Sequence, residues 1–202
     1  MAVTPVLRIV RFRPRSVEVD NALRHRLIPA LRAQPGVIDV VAGRHGSDEL
    51  GQRIVISVWS SVAATDTPQD PDGTLEELLG LLDVDEVRSE RLTVRVQFRN
   101  PGSETARLLR VFRGQVRRGE LDLYVEEAEA GTLADAAAGH GAITLHLGVV
   151  APQPDRFVTV STWPDWSTIE AATGGDIRQP LATRHPERLV ASDVTHYEVI
   201  DG

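Results

Sequence analysis

Histidine and aromatic side chains gather in the second half of this 202-residue chain. His140, His146, His185 and His196, four of its six histidines, lie there with Tyr124, Trp163, Trp166 and Tyr197. Imidazole ligates metals or carries protons near neutral pH, and aromatic rings bind flat ligands. His185 is the leading candidate for catalysis. Pro186 follows it and forces extended backbone, so it ends a helix or leaves one. From there its ring can reach a cavity between helices and sheet, or stay at the surface near a helix C-terminus. Trp163, Trp166, Tyr124 and Arg110 are the candidate substrate-binding residues. Arg110 would stabilise an anion if it faces inward, and Trp163, like Trp59, reads more readily as packing at a strand end than as a ligand platform.

The remaining histidines carry less. His140 sits between Gly139 and Gly141 in a turn, and His196 alternates with Tyr197 and so faces the opposite side of its strand. Glu120, Glu126, Glu127 and Glu129 are spaced as a solvated helix face, not a metal site. No Ser-His-Asp spacing, phosphate-binding glycine loop or His/carboxylate metal motif is present.

Composition narrows the chemistry further. There is no cysteine, which excludes disulfides, thiolate catalysis and Cys-ligated metals. All 22 basic residues are arginine, which excludes lysine Schiff bases. Residues 1–102 hold 13 arginines against 14 acids and residues 103–202 hold 9 against 15, so most of the net −7 lies in the second half and argues against nucleic acid there. Arg8, Arg11, Arg13 and Arg15 form no single basic stripe, because strand alternation divides them between faces. With no apolar run of membrane-spanning length and no basic-then-apolar leader, the expectation is a cytoplasmic protein without a membrane partner.

The elements that must position these residues occur twice, about 102 residues apart. Val6 to Phe12 answers to Leu108 to Arg113, Gly36 to Gly43 answers to Gly141 to Gly148, and Arg53 to Trp59 answers to Arg156 to Trp163. Val19, Ala22, Leu23, Leu27, Ala30 and Leu31 make one helical stripe, as do Leu121, Tyr124, Val125 and Ala128, with Gly131 as a kink or break. Thr74 to Glu77 and Ser167 to Glu170 read as capping boxes, the second starting a helix near Thr168. Leu92 to Phe98 and Val194 to Ile200 close the two copies. Each copy reads β-α-β-β-α-β, with a boundary at Asn100 to Glu104. The predicted domains are 1–100 and 101–202, two tandem ferredoxin-like units of α+β class. Their strands are apolar on both faces, so each sheet needs a cover, which the other sheet would supply as an intramolecular α/β barrel. In a 4-1-3-2 strand order His146 and His196 fall on opposite edges and cannot share a metal.

On these residues the chain resembles the dimeric α/β-barrel superfamily, in particular antibiotic-biosynthesis-monooxygenase-type domains, over both halves. The shared features are Pro35-Gly36-Val37 and His140-Gly141-Ala142 before the second strand, a third strand ending in Trp59 or Trp163, and Trp163-Pro-Asp-Trp166 followed by Arg184-His185-Pro186. The resemblance implies a small-molecule protein, with a cofactor-free oxygenase of an aromatic or polycyclic substrate as the leading reading. The alternatives are a non-catalytic ligand- or partner-binding barrel and a heme protein with His185 as axial ligand. Heme-degrading relatives also use a helix Trp and a first-strand Asn; here Thr173 and Gly174 occupy the first stretch, and Leu108 to Arg113 holds no Asn. Asp85 to Arg88, the late-helix region expected in the first half, has no His. The expected cofactor is therefore none, with heme as the exception just stated. The second half is expected to bear the pocket, and the first to serve as scaffold. Homodimerisation through outer edges and helices stays open.

Overall fold

The computed structural model describes residues 4–65, 80, 82–100, 105–133, 139–150, 153, 155–181 and 185–200. The chain is α+β, with eight strands among the described residues and antiparallel pairing throughout the assigned ladders. It divides into two compact units, residues 1–92 with 197–202, and residues 93–196.

In the first unit, β1 (Val6–Pro14) lies between β3 (Arg53–Trp59) and β4 (Val84–Arg99), with β2 (Val37–Arg44) on the far side of β3. The expected helical stripe forms one continuous element on the sheet. It begins as α1 (Val19–Ala22), widens to a π-helical turn at Leu23–Leu27 and continues as α2 (Ile28–Arg32). Val19, Leu23, Leu27, Ile28 and Leu31 pack against Val6, Val10, Phe12, Val55 and Trp59. Pro35-Gly36 then reverses the chain, with Gly36 at φ 84°, where an L side chain is strained. A short helix α3 (Val62–Thr65) follows β3. The helix expected from Thr74 to Leu82 falls almost wholly outside the described residues.

β4 corrects the sequence reading. It begins at Val84, not Leu92, and Asp85 to Arg88 are strand rather than late helix. The reason is electrostatic as well as apolar: the arginines of β1, and Arg15 just after it, are matched by acids and a hydroxyl on β4. Arg15 binds Asp85 through two nitrogens, Arg13 faces Glu86 at 3.5 Å, Arg11 faces Glu90 at 3.5 Å, and Arg8 donates to Ser89 Oγ at 3.3 Å. An arginine-rich strand that looks basic in sequence is thereby neutralised by its neighbour.

In the second unit, β5 (Leu108–Val116) pairs with β7 (Arg156–Trp163), which pairs with β6 (Thr144–Val149). β6 pairs in turn with residues 93–99 of β4, and β8 (Leu189–Val199) lies beside β5. β8 is longer than expected at its start. α4 (Leu121–Glu127) runs into a second π-helical turn, Ala128–Thr132, which contains Gly131 where the sequence indicates an interruption. α5 (Trp166–Ala172) starts two residues earlier than its capping box predicts. Asp165, not Ser167, is the N-cap, because its carboxylate reaches the Thr168 N–H at 2.9 Å and the Ser167 hydroxyl at 2.7 Å. β4 and β8 each run from one unit into the other, since the division falls after Leu92 and after His196. The last residues of β8 accordingly pair with β2 inside the first unit, Gly43 opposite Val199.

Candidate functional site

Strand alternation places Leu108, Arg110, Phe112 and Val116 of β5 on the face that α4 covers. Leu108, Phe112 and Val116 pack there with Leu121, Tyr124, Val125, Leu145, Leu147, Phe157 and Trp163. Arg110 enters this apolar layer almost completely, at 1% exposure. Its guanidinium donates from one Nη to the Gln179 carbonyl, and its Cζ lies 5.7 Å from the Phe112 ring centre. Among the described residues its Nε has no hydrogen-bond partner. Burial lowers its pKa to about 10. The arginine thus remains charged at neutral pH, in a layer that compensates it with one carbonyl and one ring face.

Three rings continue from Arg110. Phe112 meets Phe157 at 5.8 Å, and Phe157 stacks on Tyr124 at 4.5 Å with planes 29° apart. Such contacts add about 0.5–1.5 kcal/mol per pair beyond area burial. Burial, and secondarily the Glu127 charge, pushes the Tyr124 hydroxyl far up, so it stays protonated. Gly114 makes room for this series: a Cβ there would lie 2.2 Å from Phe157 Cζ. Gly114→Ala is therefore expected to lower stability by about 1–3 kcal/mol, read as a fall in thermal midpoint, because a packed ring must leave its position.

The other sequence candidates are distributed as follows. Trp163 is fully buried and donates from its indole to Ser161 Oγ at 2.8 Å, the same device as Trp59 on Ser57 at 2.9 Å in the first unit. Its polar atom is already engaged and its ring is core, the packing alternative. Trp166 is 43% exposed at the start of α5, with its ring 5.2 Å from that of His196. His185 precedes a short 3₁₀ turn, Pro186–Arg188, and its Nδ1 lies 3.0 Å from Glu187 Oε1 with the side chain 47% exposed. The inward reach expected of His185 is not observed: pre-proline backbone takes it off any helix, and Glu187 holds the ring at the surface. His185→Ala is expected to change stability by less than about 0.5 kcal/mol in chemical denaturation. The structure thus brings Arg110 and Tyr124 into one layer through Phe112 and Phe157, with Trp163 in the same core, and leaves His185 and Trp166 outside it.

Phe112, Phe157, Ser161 and Gln179 were not singled out in the sequence. The two phenylalanines were recoverable from alternation with Arg110 and Trp163, whereas the Gln179 carbonyl carried no sequence signal. His146 lies on the sheet face opposite this layer, where neighbouring Thr144 and Thr162 share a hydrogen bond of 2.7 Å. Among the described residues no group of three His, Asp or Glu side chains could hold a metal. A porphyrin ligated by His185 does not fit these residues either, since that ligand needs a buried apolar slot beside the imidazole and this imidazole is exposed.

No protein-family model matches the chain, and no curated protein sequence matches it. Solved structures do. A Fusobacterium nucleatum protein provisionally named a monooxygenase aligns at 11% identity over 100% of this chain and 94% of its own, with a TM-score of 0.75. An anthrone oxidase-like protein aligns at 12% identity over 96% and 91%, TM-score 0.54. A mutant chlorite dismutase from Candidatus Nitrospira defluvii aligns at 9% over 100% and 94%, TM-score 0.59. The likeness is one of fold. It supports a monooxygenase-like architecture over the whole chain and assigns no reaction to it. No helix among the described residues is long and apolar enough to cross a membrane.

Proposed function

We propose that this chain is a monooxygenase-like protein acting on a planar, electron-rich aromatic molecule, taken up on the helix side of the second unit's sheet. Arg110 carries the reading. A guanidinium so deeply buried, with no carboxylate partner and an unpaired Nε among the described residues, is costly unless an anionic oxygen joins it. A phenolate or enolate supplies that oxygen, and Phe112, Phe157 and Tyr124 supply ring faces for its planar body. The tandem ferredoxin-like, barrel-type arrangement belongs to the same proposal, supported by the β-α-β-β order that recurs along the chain.

In cofactor-free oxygenation the electrons come from the substrate anion itself, so the protein's task is to stabilise that anion beside dioxygen. A charged Arg110 lowers the pKa of a bound phenol or enol and holds its oxygen. With a pKa of about 10 it is not a base at neutral pH, so proton removal falls to solvent or to a group delivered with the substrate. His185 is given no role in this scheme, and His185→Ala is expected to leave turnover unchanged.

The test is oxygen consumption with anthrone, compared with uptake in protein-free buffer. Uptake that saturates with anthrone and depends on Arg110 supports the proposal, whereas anthrone oxidation no faster than in buffer counts against it. A second reading, ligand binding without turnover, is favoured by the tight Tyr124–Phe157 stack, which already fills part of the layer. It predicts saturable anthrone binding with no oxygen uptake.

A further inference from the structure

The repeat exposes a difference between the copies at one end of each sheet. In both, the residue after the first strand donates its N–H to the carbonyl of a residue just before the fourth: Arg15 to Asp83 at 2.8 Å, and Arg117 to Arg188 at 3.0 Å. These bonds identify equivalent positions. Ten residues beyond Arg117, Glu127 lies on α4 and closes the notch in the second unit by pairing with Arg188 at 3.3 Å. Ten residues beyond Arg15 is His25, in the π-helical turn, with Arg26 next to it. Among the described residues no helix side chain closes the notch here, and the Asp83 carboxylate faces Arg15 at 3.7 Å. It is a cavity of about 320 Å³, with Glu18 and Asp83 lining it alongside His25 and Arg26.

The volume is at the lower end of small-molecule sites. Val19, Ala22 and Leu82 give it apolar surface. The π-helical turn that carries His25 and Arg26 is a rare form that recurs at functional sites. Arg15, bound to Asp85, and the Arg15–Asp83 backbone bond fix the wall formed by the start of β4. The notch therefore offers the Arg26 guanidinium and the His25 imidazole from the helix, carboxylates from Glu18 and Asp83, and apolar surface between them.

We propose that this notch binds a small zwitterion of ammonium and carboxylate type, the size of an aromatic α-amino acid. Its carboxylate meets Arg26 and His25, its ammonium meets Glu18 and Asp83, and its side chain lies on Val19, Ala22 and Leu82. The site is independent of the proposed oxygenase layer and gives the first copy a binding role beyond scaffolding.

The probe is L-phenylalanine, titrated into the ¹⁵N-labelled protein and followed by amide shifts. Saturable shifts confined to residues 16–26 and 82–83 are expected. Affinity should fall at least about tenfold in Arg26→Ala, and similarly for N-acetyl-L-phenylalanine, which lacks the ammonium. Arg26 is exposed, so its substitution is expected to preserve the fold, which the unperturbed amides of the second unit would verify. Absence of saturable shifts up to about 10 mM would overturn the proposal. So would shifts that persist unchanged in Arg26→Ala, or equal affinity for the N-acetyl compound.

Discussion

Arg110→Met is expected to lower oxygen uptake with anthrone by about 10²–10³-fold in kcat/KM, while leaving the protein at least as heat-stable as the parent chain. The two effects have one cause. In the absence of substrate the guanidinium is buried against Phe112 with, among the described residues, a single carbonyl for a partner, so its desolvation is poorly repaid. A methionine of similar reach removes that cost and keeps the packing. With substrate bound, the same charge faces an anionic oxygen and its removal takes away the strongest stabilising group in the layer. A stability gain or neutral result paired with lost activity distinguishes a functional arginine from a structural one. Equal uptake by the Met variant would remove Arg110 from the reaction. The pH profile gives an independent check: because burial lowers the Arg110 pKa to about 10, affinity for an anionic ligand should hold through neutral pH and fall near pH 10, not above 12.

Asp20→Ala should destabilise the first unit by about 3–5 kcal/mol, measured by urea unfolding. Arg53 has a side chain only 2% exposed, and Asp20 receives it bidentately, Nε at 2.5 Å and Nη2 at 3.0 Å. The guanidinium also donates to the carbonyls of Gly51 and Glu49 at 2.6 and 2.8 Å, tying α1 to the β2–β3 turn. Removing Asp20 leaves the charge buried with carbonyls alone. The double variant Asp20→Ala, Arg53→Met should recover most of the loss, because no unpaired charge then remains. A double variant as unstable as Asp20→Ala alone would show that packing around Arg53, and not its charge, is what matters.

Arg53 and Arg110 show how much of this molecule was legible before folding. Both lie in apolar strand patterns of period two, and alternation indicates which face each occupies. The repeat, the helical stripes, the paired strand-end tryptophans and the breaks at Pro35-Gly36 and Gly131 were readable because they depend on neighbours a few residues apart. His185 was left with two placements for a related reason: Pro186 predicts its extended backbone, but the capture of its ring by Glu187, which decides for the surface, depends on side-chain geometry in the following turn. The length of β4 was underestimated because Asp85 to Ser89 carry no apolar pattern of their own. Their strand is held by arginines some 70 residues earlier, a pairing that no local window contains.

The sequence by itself determined the β-α-β-β element order seen in each half, the absence of thiol and lysine chemistry, and the set of residues able to bind or transfer charge. Tertiary structure decided which of those residues meet. It placed Arg110 in a ring-lined layer with, among the described residues, one carbonyl and one ring face for compensation, put His185 at the surface, and left a notch lined by His25 and Asp83 where Glu127 and Arg188 pair in the second unit. Local pattern fixes the face on which a side chain stands, because backbone dihedrals alone set it. Whether that side chain is paired, exposed or stranded depends on distant segments, which only folding brings within a few ångströms.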